Sequence, residues 1–295
     1  MKNTQDEFYP VALTIAGSDS GGGAGIQADL RSFNAAGVFG CSVITAVTAQ
    51  NPRAVAAFEA VSPELVAAQF NSVTSALAVK AVKTGMLANA AVVKTVIDCL
   101  KKKPLPLVVD PVMISTSGAR LLDDEGMQLM KNELLPLADL VTPNIPEAEW
   151  LLQRKLFSED DYIDAALAIA DLCKGNCLLK TGHAAASGNQ ISDIAVIGKK
   201  VWLLSSPRVG DLGEYASHGT GCTLSSAITA MLAVGNNLKD ALRTAKAYVY
   251  GSLCETAVIG KDIEAMYPPL EDYSRAVSLR SLKPDAGAKG SQNVR

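Results

Sequence analysis

The chain has 295 residues, of which 48% are hydrophobic and 19% are charged, so it can bury the core of one large α/β domain or two smaller ones and is not intrinsically disordered. Aromatic residues make up only 5% and the net charge at pH 7 is −3, which argues against nucleic-acid binding by stacked bases or a basic surface. The N-terminal residues lack an apolar leader, and no long apolar run occurs, so we expect a cytoplasmic protein that does not bind membranes.

Segments rich in β-branched residues alternate with Ala-rich amphipathic segments along the chain, a pattern typical of βαβ units around a mostly parallel sheet. In chain order, the predicted strands are 11–16, 42–48, 81–86, 107–112, 140–143 and 178–181. The predicted helices are 25–35, 63–77, 89–100, 124–134, 146–152 and 160–173. The start of helix 63–77 is well specified, because Ser62 can cap it and Pro63 suits its first position.

The pattern changes after Gly182. Segments 191–197 and 200–205 flank a two-residue turn, which predicts an antiparallel hairpin at the edge of the sheet. Two long helical segments follow, 220–234 and about 238–256.

The domain organisation follows from the absence of any low-complexity linker in the first 270 residues. We expect one domain over residues 1–275 and a flexible tail over residues 276–295. The six cysteines are scattered without a Cys-x-x-Cys pair, so a zinc site is not expected. Most of them should be small buried side chains in a reducing compartment.

The turn after the first strand is rich in glycine. Residues 16–30 read AGSDSGGGAGIQADL, within which residues 23–28 fit the dinucleotide pattern G-x-G-x-x-A. That pattern also needs an acidic residue at the end of the second strand, where this chain reads TAQN at 48–51. An oxidoreductase is therefore disfavoured. A turn that lets a ligand approach the backbone beside Gln50 and Asn51 remains, with a tight turn without a ligand as the alternative.

A second glycine-rich segment opens a helix. Residues 217–232 read SHGTGCTLSSAITAML, and glycines at a helix start expose unpaired N–H groups that form an anion hole. No Walker A motif is present. Cys222 falls on the first turn, where the helix dipole favours thiolate, although a buried structural cysteine is the alternative. We interpret His218 as a loop hydrogen-bonder rather than a general base, since no carboxylate is near it in sequence.

Three more predicted strands end in polar residues. Asp110 follows an apolar strand in LVVDPV, Asn144 and Glu147 flank Pro146 in LVTPNIPE, and Lys180 lies in LLKTGH. Carboxylate and amide oxygens suit Mg²⁺ that is shared with substrate phosphates. Each residue alone is more often an ordinary cap, but polar residues at several strand ends of one sheet favour a common site.

These motifs, in this order and spacing, match a known family: AGSDSGGGAGIQADL, CSVITAVTAQN, KTGML, VVDPVM, LVTPNIPEAE and HGTGCTLSSAI. The chain closely resembles the bacterial hydroxymethylpyrimidine and phosphomethylpyrimidine kinases of thiamine biosynthesis, which belong to the ribokinase-like superfamily. The resemblance runs from about residue 10 to residue 256. It implies a three-layer α/β/α sandwich whose mostly parallel central sheet carries an antiparallel edge hairpin.

The resemblance also implies residue roles. The pyrimidine pocket would be lined by Gly17, Asp29, Gln50, Met86 and Val112, with Gln50 bonded to the aminopyrimidine edge. Asp110 and Glu147 would hold Mg²⁺, and Asn144 and Lys180 would contact ATP. The anion hole would consist of Gly219, Thr220 and Gly221.

Cys222 occupies the place where ribokinase relatives usually carry a catalytic Asp, so the resemblance implies that it activates the substrate hydroxyl. General bases contribute about 10²–10⁴-fold in rate, while positioning and electrostatics supply most of phosphoryl-transfer catalysis. The implied reaction is ATP-dependent phosphorylation of hydroxymethylpyrimidine to the monophosphate and then to the diphosphate. The family commonly forms homodimers.

Two alternatives remain. Related pyridoxal kinases carry Met in place of Gln50, and a neutral amide fits an aminopyrimidine better than a thioether does, so the thiamine precursor is favoured. A non-catalytic ligand-binding relative would be expected to have lost the anion hole or Asp110, and this sequence retains both.

Overall fold

The secondary structure follows the predicted alternation over most of the chain. The computed structural model describes residues 8–114, 120–182, 186–187, 189–210, 212–213 and 215–282. The strands are β1 (Val11–Ala16), β2 (Phe39–Ile44), β3 (Ala46–Asn51), β4 (Ala54–Ala60), β5 (Val79–Thr84), β6 (Leu107–Val109), β7 (Leu140–Val141), β8 (Asn176–Leu179), β9 (Ala186–Ser187), β10 (Gln190–Ile197), β11 (Lys200–Pro207), β12 (Ala257–Gly260), β13 (Ile263–Ala265) and β14 (Ser278–Ser281). The α-helices are α1 (Gly25–Ala35), α2 (Pro63–Ala76), α3 (Ala90–Lys102), α4 (Asp124–Leu129), α5 (Ile145–Leu152), α6 (Glu159–Cys173), α7 (Thr220–Ala233) and α8 (Leu238–Cys254).

The central sheet has ten strands, in the order β14-β11-β10-β8-β7-β6-β5-β1-β2, with β9 paired to β10. Strands β2, β1, β5, β6, β7 and β8 run parallel to one another. Strands β10, β11 and β14 continue the sheet in antiparallel pairing. The prediction of a mostly parallel sheet with an antiparallel edge is therefore confirmed.

Helices cover both faces of this sheet. Helices α1, α7 and α8 pack together on one face, and α2 to α6 cover the other. The larger apolar core lies beneath the second group and includes Leu13, Ile97 and Ile169. A smaller core beneath α7 and α8 is built around Leu178 and Ile228. These layers form the predicted three-layer sandwich, in which the parallel strands all end at one edge.

The predicted strand 42–48 is wrong, because the chain forms two strands there. Thr45 is fully buried between β2 and β3, and its hydroxyl donates to the carbonyl of Met86 at 2.6 Å. Beyond it, β3 pairs with β4 as a separate two-stranded sheet, here called the β3–β4 hairpin. The apolar run continues through Thr45, so the sequence pattern does not reveal the turn.

Two further expectations differ from the structure. The predicted helix 124–134 is α-helical only to Leu129 and continues as a π-helical turn over Met130–Leu134. The predicted flexible tail begins too early, since β14 (Ser278–Ser281) pairs with β11 as an edge strand of the main sheet. Residues 283–295 lie outside the described ranges. Leu279 contacts the core beneath α8, and this packing orders a segment that shows too short an apolar pattern to be predicted.

Candidate active site

A cavity of about 480 Å³ opens at the carboxyl ends of the parallel strands. It is lined by residues that follow β1, β5, β6, β7 and β8, by the β3–β4 hairpin and by the first turn of α7. All the predicted site residues line it except Asp29: Gly17, Gln50, Met86, Asp110, Val112, Asn144, Glu147, Lys180, Gly219, Thr220, Gly221 and Cys222. Its volume and polar strand ends are those of a small-molecule site.

The start of α7 provides an anion-binding surface. Gly219 is the N-cap residue in the left-handed region, with φ at 81° and no side-chain cap, and a Cβ at this position would collide with the carbonyl oxygen of Gly23. The first intrahelical bond runs from the amide of Thr223 to the carbonyl of Gly219 at 2.9 Å. The amides of Gly221 and Cys222 precede that bond, so they are free to bind an oxyanion.

An ion pair lies beside this anion hole. Nζ of Lys180 is 2.8 Å from Oδ1 of Asp110, and Thr142 donates to the same oxygen at 3.1 Å. A Cβ on Gly221 would lie 3.1 Å from Nζ of Lys180, so the ammonium group is adjacent to the helix start. Burial alone would raise the pKa of Asp110, but Lys180 and Lys83 hold that pKa below its ordinary value.

Glu147 belongs to a capping box at the start of α5. Its carboxylate accepts from the amide of Asn144 at 2.7 Å, and its own amide donates to Oδ1 of Asn144 at 2.9 Å. Burial raises the pKa of Glu147 to about 7, and the Asp110 charge adds to the rise. No group of three or more His, Cys, Asp or Glu side chains in the described part of the chain could hold a metal ion. Two carboxylates facing one cavity instead fit Mg²⁺ that completes its shell with water and substrate phosphate.

The other end of the cavity is less polar. The amide of Gly17 donates to the carbonyl of Met86 at 3.1 Å, and a Cβ on Gly17 would lie 3.0 Å from the Met86 sulfur. Gln50 is held through its backbone, since its amide donates to Oγ of Ser20 at 2.8 Å. Its side-chain amide reaches a cavity that Val112 also lines. A flat apolar ring with one polar edge suits this end.

Asp19 is a cavity residue that the sequence patterns missed, and His218 lines the cavity beside it. Nε2 of His218 lies 3.2 Å from Oδ2 of Asp19 and 3.5 Å from Nε2 of Gln50. The hydrogen-bonding role expected for His218 is correct, but its partner is a carboxylate 199 positions away. A charged residue inside an otherwise small and neutral turn is the signal that could have identified Asp19.

The expected thiolate at Cys222 is wrong for this structure. Cys222 is partly exposed to the cavity, yet burial raises the pKa of its thiol to about 11. The Asp29 and Asp110 charges add to this rise, whereas Lys83 and the amide of Gly25 oppose it. The desolvated, partly acidic surroundings therefore outweigh the effect expected from a helix start, and the thiol is protonated at neutral pH.

Asp29 does not line the cavity, contrary to expectation. Its side chain is fully buried and pairs with Lys83, with Nζ of Lys83 2.8 Å from Oδ1. Asp29 also accepts from the Thr14 hydroxyl at 2.6 Å. Its position on α1 points this carboxylate into the space between helix and sheet, where it cannot touch a ligand.

Comparisons with known proteins identify the family. The family model described as phosphomethylpyrimidine kinase matches residues 19–266. The hydroxymethylpyrimidine/phosphomethylpyrimidine kinase of Rhizobium meliloti (strain 1021) is 45% identical over 244 residues, which cover 82% of this chain and 90% of that protein.

Solved structures of two kinases share the fold. Phosphomethylpyrimidine kinase from Clostridium difficile 630 is 40% identical, with a TM-score of 0.70 and coverage of 81% of this chain and 97% of that one. The ADP complex of Bacillus subtilis pyridoxal kinase is 32% identical, with a TM-score of 0.78 and coverage of 88% and 98%. Fold and site together define a ribokinase-like phosphotransferase, as predicted. The chain belongs to the phosphomethylpyrimidine kinase family.

None of the helices within the described ranges combines the length and the apolar composition that crossing a membrane requires.

Proposed function

We propose that this chain transfers the γ-phosphoryl group of ATP to hydroxymethylpyrimidine and then to the resulting monophosphate, as a step of thiamine biosynthesis. One observation carries the proposal: a single cavity joins the anion hole at Gly219 to a less polar pocket that carries the Gln50 amide. The amide can pair with an aminopyrimidine edge through both its donor and its acceptor. The relatives named as kinases of this substrate support the same assignment.

The polar end of the cavity takes the nucleotide. Lys180, already charged and held by Asp110, can bind the phosphates, and Asn144 lies at the start of α5 beside them. Asp110 and Glu147 would hold Mg²⁺ directly or through water. When bound, the ion neutralises phosphate charge.

Catalysis of the transfer depends mainly on how the reacting groups are positioned. The substrate hydroxyl oxygen attacks the γ-phosphorus, its O–H bond breaks, and ADP leaves with the electron pair of the broken P–O bond. The anion hole at Gly219, Thr220 and Gly221 receives the charge of the transferring group, with the free amides of Gly221 and Cys222 as its donors. The Cys222 thiolate accepts the hydroxyl proton, so Cys222 must first lose the proton that it carries at neutral pH.

The same cavity serves the second transfer. The monophosphate formed first presents a phosphate oxygen as the new nucleophile, and that oxygen needs no base because it is ionised at neutral pH. We expect the second step to depend on the anion hole and Lys180 more than on Cys222.

A phosphoryl-transfer assay tests the proposal. The full chain is incubated with Mg-ATP and hydroxymethylpyrimidine, and mono- and diphosphate products are separated. Pyridoxal serves as the competing substrate, since a pyridoxal kinase shares the fold. We expect kcat/KM for hydroxymethylpyrimidine to exceed that for pyridoxal by at least about tenfold, a difference of about 1.4 kcal/mol. A preference for pyridoxal would refute the assignment.

Gln50→Met supplies the matched control. The change keeps the length of the side chain but removes its donor and acceptor, so the preference for hydroxymethylpyrimidine should shrink or reverse. The proposal also includes a homodimer in the cytoplasm, which sedimentation and fractionation of the native host would test.

A further inference from the structure

Lys83 and Asp29 form an ion pair without exposed surface. Nζ of Lys83 lies 2.8 Å from Oδ1 of Asp29, and both side chains are 0% exposed. Replacing a fully buried pair of this kind by apolar residues is often neutral or stabilising. Stability alone therefore does not explain why the chain keeps this ion pair.

The pair lies directly behind the active site. Lys83 is on β5, two residues before Gly85, and Gly85 lines the cavity. A Cβ on Gly85 would lie 3.5 Å from Nζ of Lys83, so the ammonium group lies just behind the backbone that lines the cavity at Gly85.

A hydroxyl connects the pair to the helix of the anion hole. Ser226 on α7 bonds to Oδ1 of Asp29, and its Oγ lies 2.7 Å from the carbonyl oxygen of Cys222. Asp29 itself lies one turn after Gly25, whose amide contributes to the surroundings of the Cys222 sulfur. Strand β5, helix α1 and helix α7 thus meet at Asp29.

The ammonium group of Lys83 has unused hydrogen-bonding capacity. It carries three N–H donors, and among the described residues its hydrogen bond is to Asp29. A fully buried cation with spare donors is costly unless further negative charge lies nearby.

The additional negative charge near Lys83 can form on the sulfur of Cys222, which is surrounded by charged side chains. Four charged side chains act on the thiol or are acted on by it: Lys83 from β5, Asp29 from α1, Asp110 after β6 and Lys180 after β8. Burial raises the pKa of the thiol to about 11, and among the groups that oppose this rise Lys83 is the strongest. Asp29 and Asp110 act in the other direction.

We propose that Lys83 is a positioning residue for the transfer, whose buried ammonium group, held by Asp29, stabilises the thiolate of Cys222. The inference rests on the proposed role of Cys222 as the base. In the step concerned, the substrate O–H bond breaks, an S–H bond forms at Cys222, and the oxygen electron pair bonds to phosphorus as ADP leaves. Lys83 keeps its protons throughout and acts only by its charge.

The test measures the thiol itself. The rate at which iodoacetamide alkylates Cys222 is followed against pH in the full chain and located by peptide mass, in a Cys254→Ser background because Cys254 is exposed. Asp29→Asn leaves the Lys83 charge unopposed, so alkylation at a fixed pH below the pKa should become at least about threefold faster. Adding Lys83→Met to that variant should slow alkylation at least about tenfold, one unit of pKa.

The two steps distinguish charge from packing. Loosened packing would expose Cys222 and speed alkylation in both variants, an outcome that overturns the proposal, as does an unchanged rate on adding Lys83→Met. Circular dichroism checks folding. If the double variant does not fold, the pH profile of Asp29→Asn decides, because a lowered pKa moves the profile to lower pH whereas greater exposure speeds alkylation at every pH. Failure of the proposed function is recognised separately, as a parent protein that lacks kinase activity while its thiol shifts as expected.

Discussion

Oδ2 of Asp19 lies 3.2 Å from Nε2 of His218, which joins the first glycine-rich turn to the segment that opens α7. Asp19 is almost fully buried and also accepts from the amides of Gly21 and Ala24, each at 2.8 Å. Burial alone would raise the pKa of Asp19, but the His218 bond and these amides lower it below its ordinary value. An ionised acceptor requires a donor, so Nε2 of His218 carries a hydrogen.

Replacing His218 should weaken substrate binding more than turnover. The ring separates Asp19 from the Gln50 amide, and its loss removes one hydrogen-bond partner of Asp19 and the ring that lies beside the Gln50 side chain. We expect His218→Ala to raise the KM for hydroxymethylpyrimidine about tenfold, or about 1.4 kcal/mol, with kcat changed less than about threefold. Steady-state kinetics beside Gln50→Ala and the double variant measure this. If His218 acts through Gln50, the two effects will not add.

Gly219→Ala should abolish most of the activity. The new Cβ would collide with the carbonyl of Gly23, which displaces the anion hole, and an oxyanion donor is worth about 10²–10³ in kcat. Gly235→Ala is the matched control, because Gly235 also has positive φ, at 90°, but open space around it. Both variants should lose about 1 kcal/mol of unfolding free energy from the left-handed backbone, and Gly219→Ala should lose more because of the collision, as measured by urea titration. Equal activity in the two would contradict the anion-hole assignment.

The rate of the first transfer should rise with pH. Since the pKa of Cys222 is raised to about 11, the thiolate fraction grows about tenfold per unit between about pH 7 and about pH 9. If Cys222 is the base, kcat for hydroxymethylpyrimidine should follow that slope, and Cys222→Ala should lose both the slope and about 10²–10⁴ in rate. A flat profile in the parent, or Cys222→Ala within a fewfold of it, would remove the base from the mechanism. The monophosphate as substrate provides the internal control.

A second buried ion pair should matter for the nucleotide. Oδ2 of Asp193 lies 2.6 Å from Nζ of Lys246, and Oδ1 of Asp193 accepts from the amide of Thr181 at 3.1 Å, next to Lys180. Lys246→Met leaves the buried carboxylate of Asp193 without its ion-pair partner, which should cost about 3–5 kcal/mol of unfolding free energy. Because the unpaired Asp193 carboxylate then positions the Thr181 amide less firmly, we expect the KM for ATP to rise several-fold and that for hydroxymethylpyrimidine to stay within about twofold.

Arg243→Met serves as the control for this effect. Arg243 is exposed on the same helix, and exposed substitutions usually change stability by less than about 0.5 kcal/mol. Equal shifts in both substrate KM values for Lys246→Met would mean a general loss of structure rather than a local effect at β8.

The sequence allowed most of the site to be located because parallel strands end at one edge. Gly17, Asp110, Asn144 and Lys180 each follow a recognisable apolar strand, so their convergence follows from the topology. The anion hole was recognisable for a similar reason, since Gly219 marks a helix start. A strand end or a helix start can be recognised from a few consecutive residues.

The residues that were missed or misplaced depend on contacts distant in sequence. Nothing local pairs Asp19 with His218, and an acidic residue such as Asp29 on an amphipathic helix resembles any solvent-facing one. Lys83 did carry a usable signal, because a lysine in a central strand covered on both faces must have a buried partner. The turn at Thr45 carried no such sequence signal, because it is stabilised by a hydrogen bond to a carbonyl 41 positions away.

The pairing of β14 with β11 also determines how the protein behaves in concentrated solution. Without Ser278–Ser281, β11 would be the last strand of the sheet, and its backbone donors and acceptors from Trp202 to Ser205 would be open to pairing. An unpaired, regular edge of this kind is a template for strand addition by other chains. A chain shortened before residue 278 would therefore keep its catalytic groups, which follow other strands or lie at the start of α7, and lose its resistance to aggregation.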